Sequence, residues 1–243
     1  MARQQSNPLT WGSRRRLYSQ LLGVTLCVLL GAVTPAAADP KTTPAIVSES
    51  FLSYHPDIRW RNKGIELYDR GEYEAAINAL LRSARFADKE SQALLAEMYW
   101  EGLGAPANRP LAYAWMDLAA ERGYAQLLAV RERYWSTLSE AERDEALRLG
   151  QDVYATYGDE VAKPRLAKLL KRARREITGS RVGFAGALQI TVRMPGGGFY
   201  TMTGHEYYAE EYWKPELYFD WRDQSWMEAQ EGRVEIGPLE SAD

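Results

Sequence analysis

The sequence is poor in two residue types that build reactive centres, with one cysteine and two histidines among 243 residues. A single cysteine excludes an internal disulfide framework and a metal cage built from cysteines. The sequence has no G-x-S-x-G nucleophile elbow, and His205-Glu206 lacks the second histidine of a zincin because Ala209 stands in its place. We therefore expect a non-enzymatic protein with no catalytic residue, no cofactor and no metal site.

The sequence also lacks a strong excess of either charge, since its formal net charge is −3 and 46% of its residues are hydrophobic. This balance excludes gross disorder and a collagen-like fibre, and the length is sufficient for one or two domains with a sizeable core. An acidic balance gives no general attraction for nucleic acid. We expect no nucleic-acid partner, and the oligomeric state stays open.

Residues 1–38 have the three parts of a secretory signal peptide. They carry four arginines and no acid, an apolar run from Leu21 to Val33, and the small residues Ala36 and Ala38 after that run. The run is short for a membrane span of about 20 residues, although an uncleaved anchor is an alternative. The stretch SRRRLYS resembles a twin-arginine signal, so the export route stays open. We predict cleavage near Ala38 and a periplasmic or secreted location.

Residues 39–57 contain three prolines and are typical of a linker. Apolar residues then recur at steps of three and four through 58–71 and again through 73–86, which predicts two helices. Gly71 lies between these runs, where the end of a helix needs a residue in the left-handed conformation. The pattern therefore predicts a helix–turn–helix unit.

This unit recurs further along the chain. The segment LYDRG is repeated as MYWEG, so that Tyr68 and Gly71 correspond to Tyr99 and Gly102 at an offset of 31 residues (102 − 71). Self-similarity at such a period predicts a helical solenoid, in which stacked neighbours bury the face that one hairpin leaves open.

The first unit resembles a tetratricopeptide repeat, and the second resembles a Sel-one-like repeat. In the first, the matching residues are Trp60, Gly64, Gly71, Tyr73 and Ala76, whereas Lys63 and Leu67 depart from that pattern. In the second, they are Ala93, Tyr99, Gly102, Gly104, Pro106, Ala112, Trp115, Ala119, Ala120, Gly123 and Ala125. The resemblance covers about 58–134 and implies an α-solenoid that binds proteins through its repeat surface.

The array is short, because a third unit begins at Ala125 but has Thr137 in place of the turn glycine. Ser139 and Glu142 form a capping-box pattern that predicts a further helix. Pro164 is predicted to open the last helix, which runs to Ile177. We assign 58–178 to the helical repeats with their capping helices.

Glycine, aromatic and β-branched residues replace the helical pattern after Gly179. The pattern predicts a strand at Leu188–Arg193, a turn at Pro195–Gly198 and a second strand directly after that turn. Further strands are predicted at Glu216–Trp221 and at Arg233–Gly237. The predicted fold class is therefore α+β, with a short α-solenoid of helix–turn–helix repeats and capping helices followed by a small β-rich aromatic unit over 179–240.

The last predicted helix is strongly basic and is the first candidate binding site. Its cations are Lys163, Arg165, Lys168, Lys171, Arg172, Arg174 and Arg175. Such a face fits an anionic surface, which could be a membrane, a lipid head group or an acidic patch on a protein. The alternative is a solvated helix face that pairs with the acidic residues at 140–145. With the repeat resemblance, this face favours a periplasmic adaptor or scaffold that binds another envelope protein.

Ten aromatic residues between Phe199 and Trp226 form the second candidate site. Rings beside carboxylates suit carbohydrate, which favours a cell-wall glycan-binding module or a glycan-active enzyme as the alternative function. The candidate residues are Trp213, Trp221, Tyr208, Glu210 and Asp220. The competing interpretation is a small core filled by rings, and burial of Trp213 and Trp221 would favour it.

Overall fold

A computed structural model of the protein describes residues 48–177, 188–193 and 198–231. Four predictions lie wholly or mostly outside these residues: the signal peptide at 1–38, most of the linker, the turn at Pro195–Gly198 and the strand at Arg233–Gly237. The described residues are mostly helical with one small antiparallel sheet, and the predicted fold class is confirmed.

Eight helices form the first part of the described chain, with a 3₁₀ turn at Ala120–Arg122. They are α1 (Glu49–Tyr54), α2 (Pro56–Asp69), α3 (Tyr73–Ala84), α4 (Lys89–Glu101), α5 (Arg109–Ala119), α6 (Ala125–Thr137), α7 (Glu140–Tyr157) and α8 (Asp159–Ile177). The later elements are β1 (Gln189–Arg193), β2 (Phe199–Thr203), α9 (Gly204–Tyr207), α10 (Glu210–Trp213) and α11 (Pro215–Glu231).

The array is built from two closely packed hairpins, α2–α3 and α4–α5, which stack through α3 and α4. Small residues line the seams: Ala76, Ala96 and Ala112 are fully buried. A Cβ on Gly64 would lie 2.6 Å from the side chain of Leu80, so the crossing of α2 and α3 requires glycine. The next helix, α6, packs on α5, and α7 lies along α5 rather than against α6. The third hairpin is therefore open, and α7 caps the array.

The glycine-rich turn between α4 and α5 fixes how the two hairpins stack. Gly102 ends α4 in the left-handed conformation, with a φ of 72°. Gly104 also has a positive φ, and a Cβ there would lie 2.5 Å from the carbonyl carbon of Tyr73 at the start of α3. This contact needs a residue without a side chain, because the atom it meets belongs to the backbone.

The two capping helices form, although the second starts earlier than predicted. The hydroxyl of Ser139 accepts a hydrogen bond from the Glu142 amide, and the Glu142 carboxylate accepts one from the Ser139 amide, which confirms the capping box of α7. The prediction that Pro164 opens α8 is wrong, because α8 begins at Asp159 and contains Pro164. Acidic residues in the first turn, which complement the helix dipole, favour the earlier start.

The linker prediction is wrong for its last residues. Ser48 caps α1 through its hydroxyl, and Phe51 in that helix is fully buried. His55 separates α1 from α2, and Pro56 occupies the first turn of α2, where its missing amide hydrogen is no loss. This segment is therefore folded against the rest of the chain.

The C-terminal segment contains the predicted hairpin, and one further predicted strand in its described residues is a helix instead. Strands β1 and β2 pair antiparallel, with Ile190 opposite Met202 and Val192 opposite Tyr200. The predicted strand at Glu216–Trp221 is wrong, because these residues belong to α11. Aromatic content suggested a strand, but these residues lie in a helix that begins at Pro215.

Two hydrophobic cores result from this arrangement. The array core contains the alanine seams together with residues such as Leu80, Trp115 and Trp226. The second core joins α1, α2, α8, the hairpin and α9–α11, and it consists of Phe51, Ile58, Leu166, Leu170, Ala173, Val192, Met202, Tyr207, Tyr212, Trp213 and Tyr218. Within the described parts of the chain, no helix is both long and apolar enough to cross a membrane.

Candidate functional site

The basic helix α8 has one buried stripe and one exposed cationic stripe. Leu166, Leu170 and Ala173 are fully buried. Lys168, Lys171, Arg172 and Arg175 follow one another at steps of three, one and three, which places them on one face of the helix, and all four are exposed. We call these four residues the basic face of α8.

Three predicted cations, Lys163, Arg165 and Arg174, do not belong to this face. Lys163 is half-buried, pairs with Asp159 at 3.0 Å and lies over the ring of Phe219. Arg165 is half-buried and donates to the backbone carbonyls of Arg85 and Thr156. These two side chains join α8 to its neighbours, so their role in the structure is packing.

Arg174 is exposed and lies on the side of α8 that faces α10. The pKa of Glu210 in α10 is lowered, mainly by its hydrogen bond to Lys214 and to a smaller extent by Arg174. Arg174 therefore adds to the positive potential at the edge of the basic face, and its charge also acts on Glu210 of α10.

Two acids of α7, Glu142 and Glu145, have local partners. Glu142 belongs to the capping box, and Glu145 pairs with Arg148 one turn later in α7. The alternative interpretation, in which α8 pairs with acids at 140–145, is therefore not supported for these two residues. In the described part of the chain, Lys168, Lys171 and Arg175 form no ion pair. These three residues of the basic face have charge available for an external anion.

The glycan candidates do not form an open groove. Trp213 is only 2% exposed, and its indole nitrogen donates to the carbonyl of Tyr207 at 2.8 Å. Trp221 is half-buried, with its ring centroid 5.1 Å from that of Tyr212. Tyr208 is also half-buried and packs on Trp213. These rings fill the second core, so the expectation that Trp213 is available for stacking on sugar is wrong.

The two glycan-candidate acids are exposed but lie apart from an aromatic platform. Glu210 forms an ion pair with Lys214, which lies one helical turn later. Asp220 is exposed on α11. His205-Glu206 also has a structural role, because Glu206 completes a capping box with Thr203 at the start of α9.

Sequence reasoning missed a buried polar cluster between the array and α11. Arg222 of α11 donates to Asp88 at 2.7 Å, and Arg61 of α2 donates to the same carboxylate at 3.1 Å. Burial by itself raises the pKa of Asp88, but the two guanidinium groups outweigh burial and hold that pKa below its usual value. The charge is therefore stabilised inside the fold, where an unpaired carboxylate would be strongly unfavourable.

A second missed cluster joins the array to the start of α8. Lys89 is buried and pairs with Glu121 and, at 3.2 Å, with Asp159. Arg122 binds Asp159 as well, through its Nε at 2.6 Å and its Nη2 at 2.9 Å. Burial raises the pKa of Asp159 by itself, yet Arg122 and Lys89 keep that pKa below its usual value. A weak signal for this cluster was Asp88-Lys89, which places charges at the start of a helix.

These clusters tie helices together. Each buried charge has an opposite charge from another element, and bidentate pairs such as Arg122–Asp159 fix geometry as well as charge. Among the described residues, no group of three or more histidine, cysteine, aspartate or glutamate side chains could hold a metal ion. The exposed feature with the clearest chemistry is thus the basic face of α8.

No protein-family model matches the sequence, and no curated protein matches it. A solved structure to which the chain is similar is that of a protective antigen present in uropathogenic Escherichia coli strains, which displays an SLR fold. The identity is 22% and the TM-score 0.41, with 48% of this chain and 26% of the antigen chain covered. The match thus spans about a quarter of the antigen's length, and a likeness of this size assigns no function.

Proposed function

We propose that this protein is a non-catalytic adaptor of the periplasm, which binds an acidic surface of another envelope protein through the basic face of α8. The observation that carries the proposal is the placement of Lys168, Lys171, Arg172 and Arg175 on one exposed face, opposite a fully buried stripe. A helical array provides a rigid, extended support for such a surface.

The arrangement of the other charges favours binding over catalysis. Asp88 and Asp159, whose pKa values are lowered, are engaged by guanidinium or ammonium groups of other elements. A catalytic acid or base needs a proton that it can exchange with a substrate at an open site. The basic face instead offers exposed cations, whose attraction for an anionic surface acts over about 10 Å at 0.1 M salt.

The test compares two charge reversals of equal size in the full chain. In Lys168→Glu/Lys171→Glu the reversed residues lie on the basic face, whereas in Lys63→Glu/Arg148→Glu they lie on exposed parts of α2 and α7. Each variant is immobilised, and proteins of the envelope extract are captured at increasing salt. We expect the first variant to bind a captured partner about tenfold more weakly than wild type, because several exposed charge pairs of up to about 1 kcal/mol each are lost.

The control variant should bind that partner like wild type. Equal losses in both double variants, or capture that does not weaken with salt, would contradict the proposal. A third arm uses vesicles that contain phosphatidylglycerol. If the basic face binds these vesicles and no acidic protein, the surface is a membrane contact and the adaptor function is wrong.

The periplasmic location has a separate test. The full-length chain is expressed in its own cells, and the purified product is sequenced from its N-terminus after cell fractionation. We expect the product in the periplasmic fraction with Asp39 as its first residue, because cleavage is predicted near Ala38. A product that begins at Met1 in the cytoplasmic fraction would contradict this location.

A further inference from the structure

Helix α11 crosses the amino ends of alternate helices of the array, α2, α4 and α6. Tyr218 donates through its hydroxyl to the Oδ2 of Asp57, in the first turn of α2, at 2.5 Å. One turn later, Arg222 donates to the Oδ2 of Asp88, the N-cap residue of α4, at 2.7 Å. The array therefore presents a carboxylate to α11 at the start of each of these two helices.

The contact continues to the start of α6 with the opposite charge. Asp223 accepts hydrogen bonds from Tyr124, the N-cap residue of α6, at 2.5 Å and from Arg122 at 2.7 Å. Trp226 is buried beside Tyr124, with ring centroids 5.6 Å apart. One helix thus places an aromatic residue, a cation, an anion and a second aromatic residue against α2, α4 and the start of α6.

These contacts follow a simple helical pattern. Residues 218, 222, 223 and 226 are spaced at i, i+4, i+5 and i+8, which lie on one face of a helix. The array side is complementary, because Asp57, Asp88 and Glu90 surround Arg222, whereas Arg122 faces Asp223. The charges that the array presents are thus complementary to the charges of α11, as at an interface between two proteins.

The contact between α11 and the array combines polar pairs with one buried ring, because Trp226 belongs to the array core. The backbone of α11 packs mainly on α10 and α8, and it reaches the array through side chains. Of the described residues, none donates a hydrogen bond to the buried Oδ1 of Asp57. Polar contacts of this kind are typical of interfaces that open and close, because the desolvation of charges offsets much of the attraction between them.

We propose that the amino ends of α2, α4 and α6 form a helix-docking surface, of which α11 is the resident occupant. This surface accepts, from a partner protein, a helix that carries an aromatic residue, an arginine, a carboxylate and an aromatic residue at i, i+4, i+5 and i+8. Binding of the partner helix displaces α11. The site is separate from the basic face of α8, and neither proposal depends on the other.

The probe for this surface is a labelled peptide with the sequence of residues 214–231, which contains the whole recognition pattern. The full chain is compared with Arg222→Ala, which loosens the resident helix, and with Gln224→Ala, which changes an exposed residue of the same helix. Fluorescence anisotropy should show that Arg222→Ala binds the peptide at least about tenfold more tightly than wild type, because a vacated site no longer has to expel its occupant. Gln224→Ala should resemble wild type.

Two further arms keep the experiment decisive. A peptide in which the arginine at position 222 is alanine should not bind Arg222→Ala, since the cation for Asp88 is missing. Asp223→Asn in the full chain should also increase binding, by a smaller factor. Equal peptide affinity in all variants would overturn the proposal. So would loss of the helical circular dichroism signal in both Arg222→Ala and Asp223→Asn, because α11 would then be an inseparable part of the fold.

Discussion

The two cores of this protein are built from different residues and respond to different disturbances. The array core has alanines such as Ala76, Ala96 and Ala112 where helices cross, so the backbones approach closely. The second core is filled by rings, among them Phe51, Trp213 and Tyr218, which come from distant parts of the chain. Enlarging a buried alanine should therefore destabilise the array, whereas removing a ring should destabilise the second core.

The difference also concerns distance along the chain. Contacts within the array mainly join helices that follow one another in the chain. The hydrophobic pattern of each hairpin therefore suffices to predict which two helices pack together. In the second core, His55 contacts the Tyr212 carbonyl across 157 residues, and Tyr218 contacts Asp57 across 161 residues. The second core thus depends on closing a long loop of chain, which is entropically unfavourable until the rings pack.

The largest expected effect is the loss of a ring from the second core. Trp213→Ala removes an indole that is 2% exposed and hydrogen-bonded to the Tyr207 carbonyl. The free energy of unfolding should fall by about 3–5 kcal/mol, as is typical for large-to-small changes in cores. Urea denaturation followed by tryptophan fluorescence and circular dichroism measures the change. A loss below about 1 kcal/mol, the range of surface substitutions, would show that the second core is not closely packed.

The next effect compares two glycines with nearly the same backbone conformation in the array. Gly104 and Gly71 have φ values of 79° and 77°, but only Gly104 has backbone atoms where a Cβ would lie. Gly71→Ala should lower stability by about 1–2 kcal/mol, through left-handed strain alone. Gly104→Ala should lower it by about 2 kcal/mol more, because the start of α3 must move. Thermal unfolding of both variants gives the difference, and equal melting temperatures would contradict the stacking of the two hairpins.

Much of the array could be predicted from sequence, and most of the second core could not. Gly71, Gly102 and the Ser139–Glu142 capping box are local signals, and each marks the helix boundary that was expected from it. The first part of α11, Glu216–Trp221, was predicted as a strand because aromatic residues suit strands, and several residues that its side chains contact, such as Asp57, lie far away in sequence. Phe51 was assigned to a linker for the same reason.

The candidate site was predicted only in part. The basic residues of α8 were visible in sequence, but their division between Lys163, which packs inward, and Lys168, which is exposed, depends on the position of α11. The contacts of Arg222 were not predictable, because nothing local distinguishes it from an exposed arginine. Its carboxylate partners come from helices more than a hundred residues earlier, as with Asp88.

A smaller effect is expected from enlarging an alanine of the array. Ala112 is fully buried in α5, and Ala112→Leu should reduce stability by about 1–3 kcal/mol through overpacking. Ala75→Leu, on an exposed position of α3, is the matched control and should stay within about 0.5 kcal/mol of wild type. Urea denaturation distinguishes the two. If Ala112→Leu stabilises the chain, the seam contains space and the account of the array core is wrong.

The smallest effect is a dependence of stability on pH through His55. Burial lowers the pKa of this histidine from its usual 6.5, against the opposing influence of Asp57. The folded chain therefore binds the proton less readily than the unfolded chain, so stability is complete above pH 6.5 and decreases as the pH falls below that value. The decrease is at most about 1.4 kcal/mol per pH unit, because a single proton is involved.

Variants isolate this contribution from that of the acids. His55→Gln should show a weaker decrease in the free energy of unfolding between pH 7.5 and 5.5 than wild type, whereas His205→Gln, on an exposed position, should keep the wild-type dependence. An unchanged pH dependence in His55→Gln would mean that the imidazole has the same pKa in the folded and in the unfolded chain.

The array and the ring-filled core are stabilised by different contacts, so loss of a ring should leave the array intact. Hydrogen exchange of Trp213→Ala, resolved by segment, distinguishes this arrangement from a single cooperative core. We expect amides of α1, the β1–β2 hairpin and α11 to lose protection, while those of α3, α4 and α5 retain the protection of the wild-type chain. An equal loss of protection in α3–α5 would show a single cooperative core and would contradict the separation of the two cores.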